Sequence, residues 1–362
     1  MGIAFFSRGE AGALVRPAML RPGDRVAAVS LSWGGPGQFP WRYEAGVRQL
    51  EAAFGVEVVP TRHALREPAW LDANPRARAE DLLEAFADPA VRGIIATIGG
   101  DDSIRLLPYL DLGVIRANPK VFMGYSDTTV GHFVCHAAGL TSFYGPAIMA
   151  GFAENGGLHP YMERAVRRTL FSAEPLGPLD PNEDGWTVER LEWSDPANQA
   201  RRRALTPSAG WRWLQGEAPV AGRLIGGCIE VLDWLRGTPV WPGRAAWDGA
   251  VLFLETSEEA PSPLAVTRML RALAACGALE RASALLFGRP GGGVAPEQIA
   301  AYDEALLRVV RDELGRGDMP VVTGMDFGHT DPIAVLPYGV VARVDPGARQ
   351  VSLLEPAVSP GP

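Results

Sequence analysis

Gly93-Ile94-Ile95-Ala96-Thr97-Ile98-Gly99-Gly100-Asp101-Asp102-Ser103 and Val121-Phe122-Met123-Gly124-Tyr125-Ser126-Asp127-Thr128-Thr129 share one design. Each is a short unbroken apolar run that ends in a small or polar turn and leads into a helical pattern. Continuous apolar runs of this length suit strands buried on both faces, as parallel sheets require. Working outward, residues 24–31 and 56–59 read as two further strands, with helices at 43–54 and 76–86 between the runs. Strands alternating with helices at this spacing predict βαβ units and a parallel sheet covered on both faces.

The pattern breaks between about residues 173 and 216, where Pro175, Pro178, Pro181, Pro196 and Pro207 interrupt any helix. Trp186, Trp193, Trp211 and Trp213 fall inside this stretch. Tryptophans are atypical of disorder, so it reads as a linker carrying a substrate-facing loop. Alternation resumes after Gly226-Gly227. Helices are predicted at 228–236, 264–276 and 296–314, strands at 250–254, 284–287 and 320–323, and a hairpin turning at Asp345-Pro346-Gly347. The expected organisation is a tail (1–18), an N-terminal α/β domain (19–172), the tryptophan-bearing linker (173–215) and a C-terminal α/β domain (216–355).

Composition narrows the function. The chain has 362 residues, 47% hydrophobic, with a formal net charge of −8. That charge argues against coating nucleic acid or a membrane surface, both of which call for basic patches. No apolar run reaches the 18 residues of a membrane span, and the first residues lack a basic stretch followed by an apolar core. A cytoplasmic protein without a leader is expected. Cys135, Cys228 and Cys276 are far apart in apolar, helical-looking stretches, reading as three buried thiols rather than a disulfide frame or zinc site.

In a parallel sheet the loops after the strands gather along one edge, where ligands bind. Ser126 follows one strand, Glu255 another, and His329 lies in Gly328-His329-Thr330-Asp331-Pro332 beyond a third. A serine at a sharp strand-to-helix turn exposes its hydroxyl beside helix N-terminal amides. Equally, Ser126 or Asp127 reads as an ordinary N-cap, and Gly124-x-Ser126-x-Thr128 misses the Gly-x-Ser-x-Gly elbow. Glu255 could orient His329, with Glu258, Glu259, Asp326 and Asp331 as competitors. His132 and His136 point away from the nucleophile as easily as towards it, and His63 and His159 lie beside ordinary turns. Asp101 and Asp102 read as an acid–base or metal-binding pair or as the start of a helix, with Gly100 letting backbone approach a ligand. Gly34-Gly35-Pro36-Gly37 lacks the ending of a phosphate loop and reads as a turn.

Residues 99–110 and 118–129, together with Leu252-Phe253-Leu254-Glu255-Thr256 and Gly328-His329-Thr330-Asp331-Pro332, resemble the LD-carboxypeptidase family of serine peptidases, from about residue 20 to 355. The resemblance implies a catalytic triad of Ser126, Glu255 and His329 and an oxyanion hole formed by the amides of Gly100 and Asp127. It also implies a swivelling barrel-like C-terminal domain and a homodimer, with no metal or organic cofactor. One branch removes a terminal D-alanine from murein tetrapeptides. The other confers immunity by hydrolysing the amide between an aminoacyl or peptidyl group and a modified nucleotide. Asp101, where the cell-wall branch usually has tyrosine, and the tryptophan loop favour the immunity branch, in which Trp186 would stack on the base. Packing of Trp186 on the protein body stays open as its alternative. From outside enzymology, a peptide- or nucleotide-binding protein on the same scaffold is the rival expectation.

Overall fold

A computed structural model describes residues 13–361, so the reading of the first residues lies outside the described part except for residues 13–18. Within these, Val15 bridges Leu140 and Ala18 bridges Ser359. The first sheet is built from β1 (Arg25–Val29), β2 (Glu57–Pro60), β3 (Val91–Ala96), β4 (Val121–Gly124) and β5 (Phe143–Tyr144). These pair in parallel in the order β5-β4-β3-β1-β2. Every residue of β4 is buried and only Arg92 of β3 is exposed, which is why they read as unbroken apolar runs.

The second sheet takes β6 (Gly177–Leu179), β7 (Arg212–Gln215), β8 (Val220–Cys228), β9 (Val251–Glu255), β10 (Ala284–Gly288) and β11 (Val321–Met325). A two-residue strand, β12 (Leu336–Pro337), returns to the first sheet, while β13 (Val341–Asp345) and β14 (Gln350–Leu353) form the expected hairpin. The order β6-β14-β13-β8-β9-β10-β11-β7 has a parallel centre, β8 to β11, and antiparallel flanks.

Two features escaped the sequence reading. The glycine-rich β8 was passed over as a boundary, yet its glycines are what let it lie against β9. A Cβ at Gly226 would run into the Phe253 carbonyl, and one at Gly222 into that of Gly249. The proline-laden linker contributes β6 and β7, the two edges of the second sheet, where missing N–H donors are tolerated. The cysteines also differ from expectation. Cys228 ends a strand and Cys276, at a helix C-terminus, is only partly buried.

β12 pairs with β5, Leu336 opposite Tyr144. The chain from β11 to β12 therefore crosses from one sheet to the other, and His329 rides on that crossing. Among the described residues no helix is long and apolar enough to cross a membrane.

Candidate active site

Ser126 follows β4 with φ at 62°, a left-handed conformation that costs a non-glycine residue roughly 1–2 kcal/mol. Its neighbours hold it there. Its N–H donates to the Tyr144 hydroxyl at 3.1 Å, and its carbonyl accepts from Thr129 Oγ1 at 2.7 Å. The ordinary N-cap reading fails, because no side chain caps the 3-10 turn Ser126–Thr128 or the helix Thr129–Ala137 behind it. Asp127 is fully buried. Its Oδ2 accepts the Ser103 N–H at 2.9 Å, Oδ1 has no partner among the described residues, and burial pushes the carboxyl up.

Gly99, just past the end of β3, packs against Ser126. A Cβ there would lie 2.9 Å from Ser126 Cβ and 3.0 Å from its Oγ. Gly100, at φ +147°, continues the turn. The aspartate pair behind it splits. Asp101 is exposed, whereas Asp102 is gripped by Arg78 at 2.6 and 2.9 Å and by Arg105 at 2.9 Å. Burial works against its charge, but hydrogen bonds from Arg78 and Ser32 hold the Asp102 carboxyl below its usual range. Asp102 is thus a structural anion rather than half of an acid–base dyad.

Glu255, at the end of β9, is fully buried; Oε1 accepts from the Tyr144 hydroxyl and Oε2 lies 2.7 Å from His329 Nδ1. Tyr144 therefore joins the Ser126 backbone to the carboxylate that orients the histidine. The ring of Tyr125, next to Ser126, stands edge-on to His329 with centroids 5.0 Å apart. Among the competing acids, Asp326 is committed to Arg289 and Trp211, Asp331 to Arg203, and Glu259 is exposed. Glu258 does reach His329, but on the other nitrogen, with Oε2 3.0 Å from Nε2. Burial opposes protonation of His329, yet the charges and hydrogen bonds of Glu255 and Glu258 prevail and raise it to about 10. The structure shows no hydrogen bond between His329 and Ser126 Oγ. The Glu258 side chain that meets Nε2 is 57% exposed.

The remaining histidines are structural. His132 lies between Ser142 Oγ and the Gly124 carbonyl, each at 2.9 Å, and burial drives it down to about 3. Burial likewise lowers His136 to about 4. His63 pairs with Asp81 at 2.9 Å, and His159 lies 3.5 Å from Glu154.

The tryptophan loop is tied to the His329 loop by reciprocal backbone bonds between Thr187 and Asp331, at 2.8 and 3.0 Å. Arg203 reinforces the tie by bridging Glu154 and Asp331. Trp186 is half-buried, with the Arg289 guanidinium 4.9 Å from its ring centroid. Trp193 stacks on Trp33, and the Trp211 indole donates to Asp326 at 2.8 Å.

Sequence reading missed Tyr144, Tyr125, Ser32 and Arg78. Phe143-Tyr144 is two residues long and carries no motif. Arg78 sits in an amphipathic helix, where burial of an arginine has no sequence signal.

Residues 26–145 match the family model described as LD-carboxypeptidase N-terminal domain, and residues 221–344 the LD-carboxypeptidase C-terminal domain. A putative carboxypeptidase of Vibrio cholerae is 31% identical over 89% of this chain and 92% of its own length. The microcin C7 self-immunity protein MccF of Escherichia coli is 28% identical over 94% of this chain and 96% of its own. The crystal structure of an MccF-like protein from Streptococcus pneumoniae in complex with AMP superimposes with a TM-score of 0.82 at 30% identity, covering 91% of this chain and 98% of that one. The chain belongs to the LD-carboxypeptidase family of serine hydrolases.

Proposed function

We propose that this hydrolase cleaves the amide bond joining an aminoacyl or peptidyl group to a modified nucleotide, with Ser126, His329 and Glu255 as its triad. The observation that carries the triad is the convergence of strained Ser126, Tyr144, Glu255 and His329 in one hydrogen-bonded cluster fed from both sheets. The similarity to MccF, and to an MccF-like protein crystallised with AMP, supports the nucleotide.

In this reading Glu258 swings off Nε2, and His329, its Nδ1–H held by Glu255, takes the Ser126 proton as Oγ attacks the carbonyl carbon. The oxyanion is received by the amides of Gly100 and Asp127. Gly100 N–H has no acceptor among the described residues, and Asp127 lies in a first helical turn, whose amides lack intrahelical partners. His329 returns its proton to the leaving nitrogen as the C–N bond breaks. Water, deprotonated by the same imidazole, then releases the acid from Ser126. No metal or organic cofactor takes part. In this reading Asp101 and Trp186 bind the substrate, with Trp186 offering its ring to the nucleobase. The protein acts as a cytoplasmic homodimer, with the domain boundaries expected above.

The test follows an aminoacyl-sulfamoyl adenosine and a murein tetrapeptide separately by mass spectrometry, with wild-type protein and Ser126→Ala. Release of the amino acid from the nucleotide by the wild type alone is the expected result. Release of terminal D-alanine alone would make the protein a cell-wall recycling enzyme. Full activity of Ser126→Ala would remove the nucleophile assignment. Binding without turnover would favour a binding protein.

A further inference from the structure

The turn that carries Gly100 is held by a side chain from a different strand-end loop. Ser32, 5% exposed, follows β1. A serine hydroxyl offers one donor and two acceptor positions, and here all three are used. Oγ accepts the N–H of Asp101 at 3.0 Å and that of Asp102 at 3.1 Å, and donates to Asp102 Oδ1 at 2.9 Å. The hydroxyl thus ties the loop after β1 to the turn after β3, with the Asp127 carboxyl also beside it.

Behind Ser32 stands a buried ion pair. Arg78, with 0% exposure, donates to both oxygens of Asp102 and to the Leu31 carbonyl at 2.8 Å. Its guanidinium therefore ties the loop after β1 to the loop after β3. On the near side, the Trp33 N–H donates to the Gly99 carbonyl at 3.2 Å.

These bonds set the direction of one peptide group. In a trans peptide the N–H points opposite to the preceding C=O. Trp33 holds the Gly99 carbonyl on the Ser32 side, so the Gly100 N–H faces the other way. Gly99 itself packs on Ser126, as its virtual Cβ 3.0 Å from Oγ shows. The two amides that follow are already committed to Ser32. A side chain at Gly100 would collide with Ser32 Oγ, which explains glycine at φ +147°.

We propose that Ser32, backed by the Arg78–Asp102 pair, is the positioning residue that aims the Gly100 N–H at the oxyanion. Ser32 touches no substrate atom; it acts through the backbone it holds. The inference rests on the hydrolase reading above.

Ser32→Ala and Ser32→Cys remove the strong acceptor, the latter at nearly constant volume in case the former folds poorly. Wild type, both variants and Ser126→Ala are assayed on the aminoacyl-sulfamoyl adenosine and the murein tetrapeptide. A boronic-acid analogue of the amino acid released, which forms a tetrahedral adduct with a nucleophilic serine, reports on the hole directly. Deleting an oxyanion-hole donor costs about 100- to 1,000-fold in kcat, and misaiming one donor is expected to cost about 10- to 100-fold. The boronate Ki is expected to rise by the same factor while KM stays within about twofold, a split that general loosening of the fold would not produce. A kcat within about threefold of wild type in a folded Ser32 variant, or a fall in kcat with an unchanged boronate Ki, overturns the inference alone. Full activity in Ser126→Ala, or no turnover of either probe by the wild type, overturns the hydrolase reading and this inference with it.

Discussion

Glu258→Gln tests whether the second carboxylate on His329 restrains the proposed base. In the structure His329 lies between Glu255 Oε2, 2.7 Å from Nδ1, and Glu258 Oε2, 3.0 Å from Nε2. An imidazolium gripped at both nitrogens cannot accept the Ser126 proton, and its pKa is raised to about 10. The substitution removes the charge and keeps the shape. Glu255 remains, as does the neighbouring ring of Tyr125. At 3.0 Å a unit charge pair in a water-like dielectric is worth about 1.4 kcal/mol, or about one pKa unit. The water-like value is a lower bound, because Glu258 is 57% exposed and screened while His329 is only 7% exposed. The sign follows from the direction of the shift. A base must be unprotonated, so kcat/KM climbs as pH rises through the free-enzyme pKa of His329. Losing a carboxylate lowers that pKa, so the rising limb moves at least about one unit towards acid. Below both limbs kcat/KM increases at least about tenfold, and the alkaline plateau is unchanged. Initial rates across about pH 6 to 10.5 measure it. A limb that stays in place, or moves towards alkali, refutes the argument that Glu258 holds His329 protonated.

Two further outcomes follow from close contacts. Gly99→Ala places a Cβ 2.9 Å from that of Ser126, a separation real Cβ atoms essentially never show. It is expected to push the hydroxyl out of line and lower kcat by about 100-fold, while circular dichroism stays native; normal kcat would show that the nucleophile acts from another place. Trp186→Ala is expected to raise KM for the aminoacyl-sulfamoyl adenosine about tenfold, base–aromatic stacking being worth about 1–3 kcal/mol by alanine substitution. Its kcat and its tetrapeptide kinetics should not change. An equal loss on both substrates, with a lowered Tm, would instead assign the ring to packing on Arg289.

The alternation of apolar runs and helical patterns disclosed the parallel strands, because a strand buried on both faces must be apolar at every position. The same reading placed Ser126, Glu255 and His329 at strand ends and found the Gly99-Gly100 turn at another. Local pattern does not report on approach between distant segments, and there the reading fell short. It took the glycines of β8 for a boundary, although they record the closeness of β9. It met the prolines of the linker as breakers, although β6 and β7 close the edges of the second sheet.

What the residue order determined by itself was the chemistry available at each strand end, since each end is read from contiguous residues. Tertiary structure decided which of those groups meet. Five acids followed the strands near His329, and only the fold shows Glu255 on Nδ1, Glu258 on Nε2, Asp326 with Arg289 and Asp331 with Arg203. The return of β12 to the first sheet sets Leu336 beside Tyr144 and carries His329 across between the sheets. Hydrogen bonds act over about 3 Å, so the roles of Tyr144, Ser32 and Arg78 exist only once segments distant in sequence, 111 residues apart in the case of Tyr144 and Glu255, have been packed into contact.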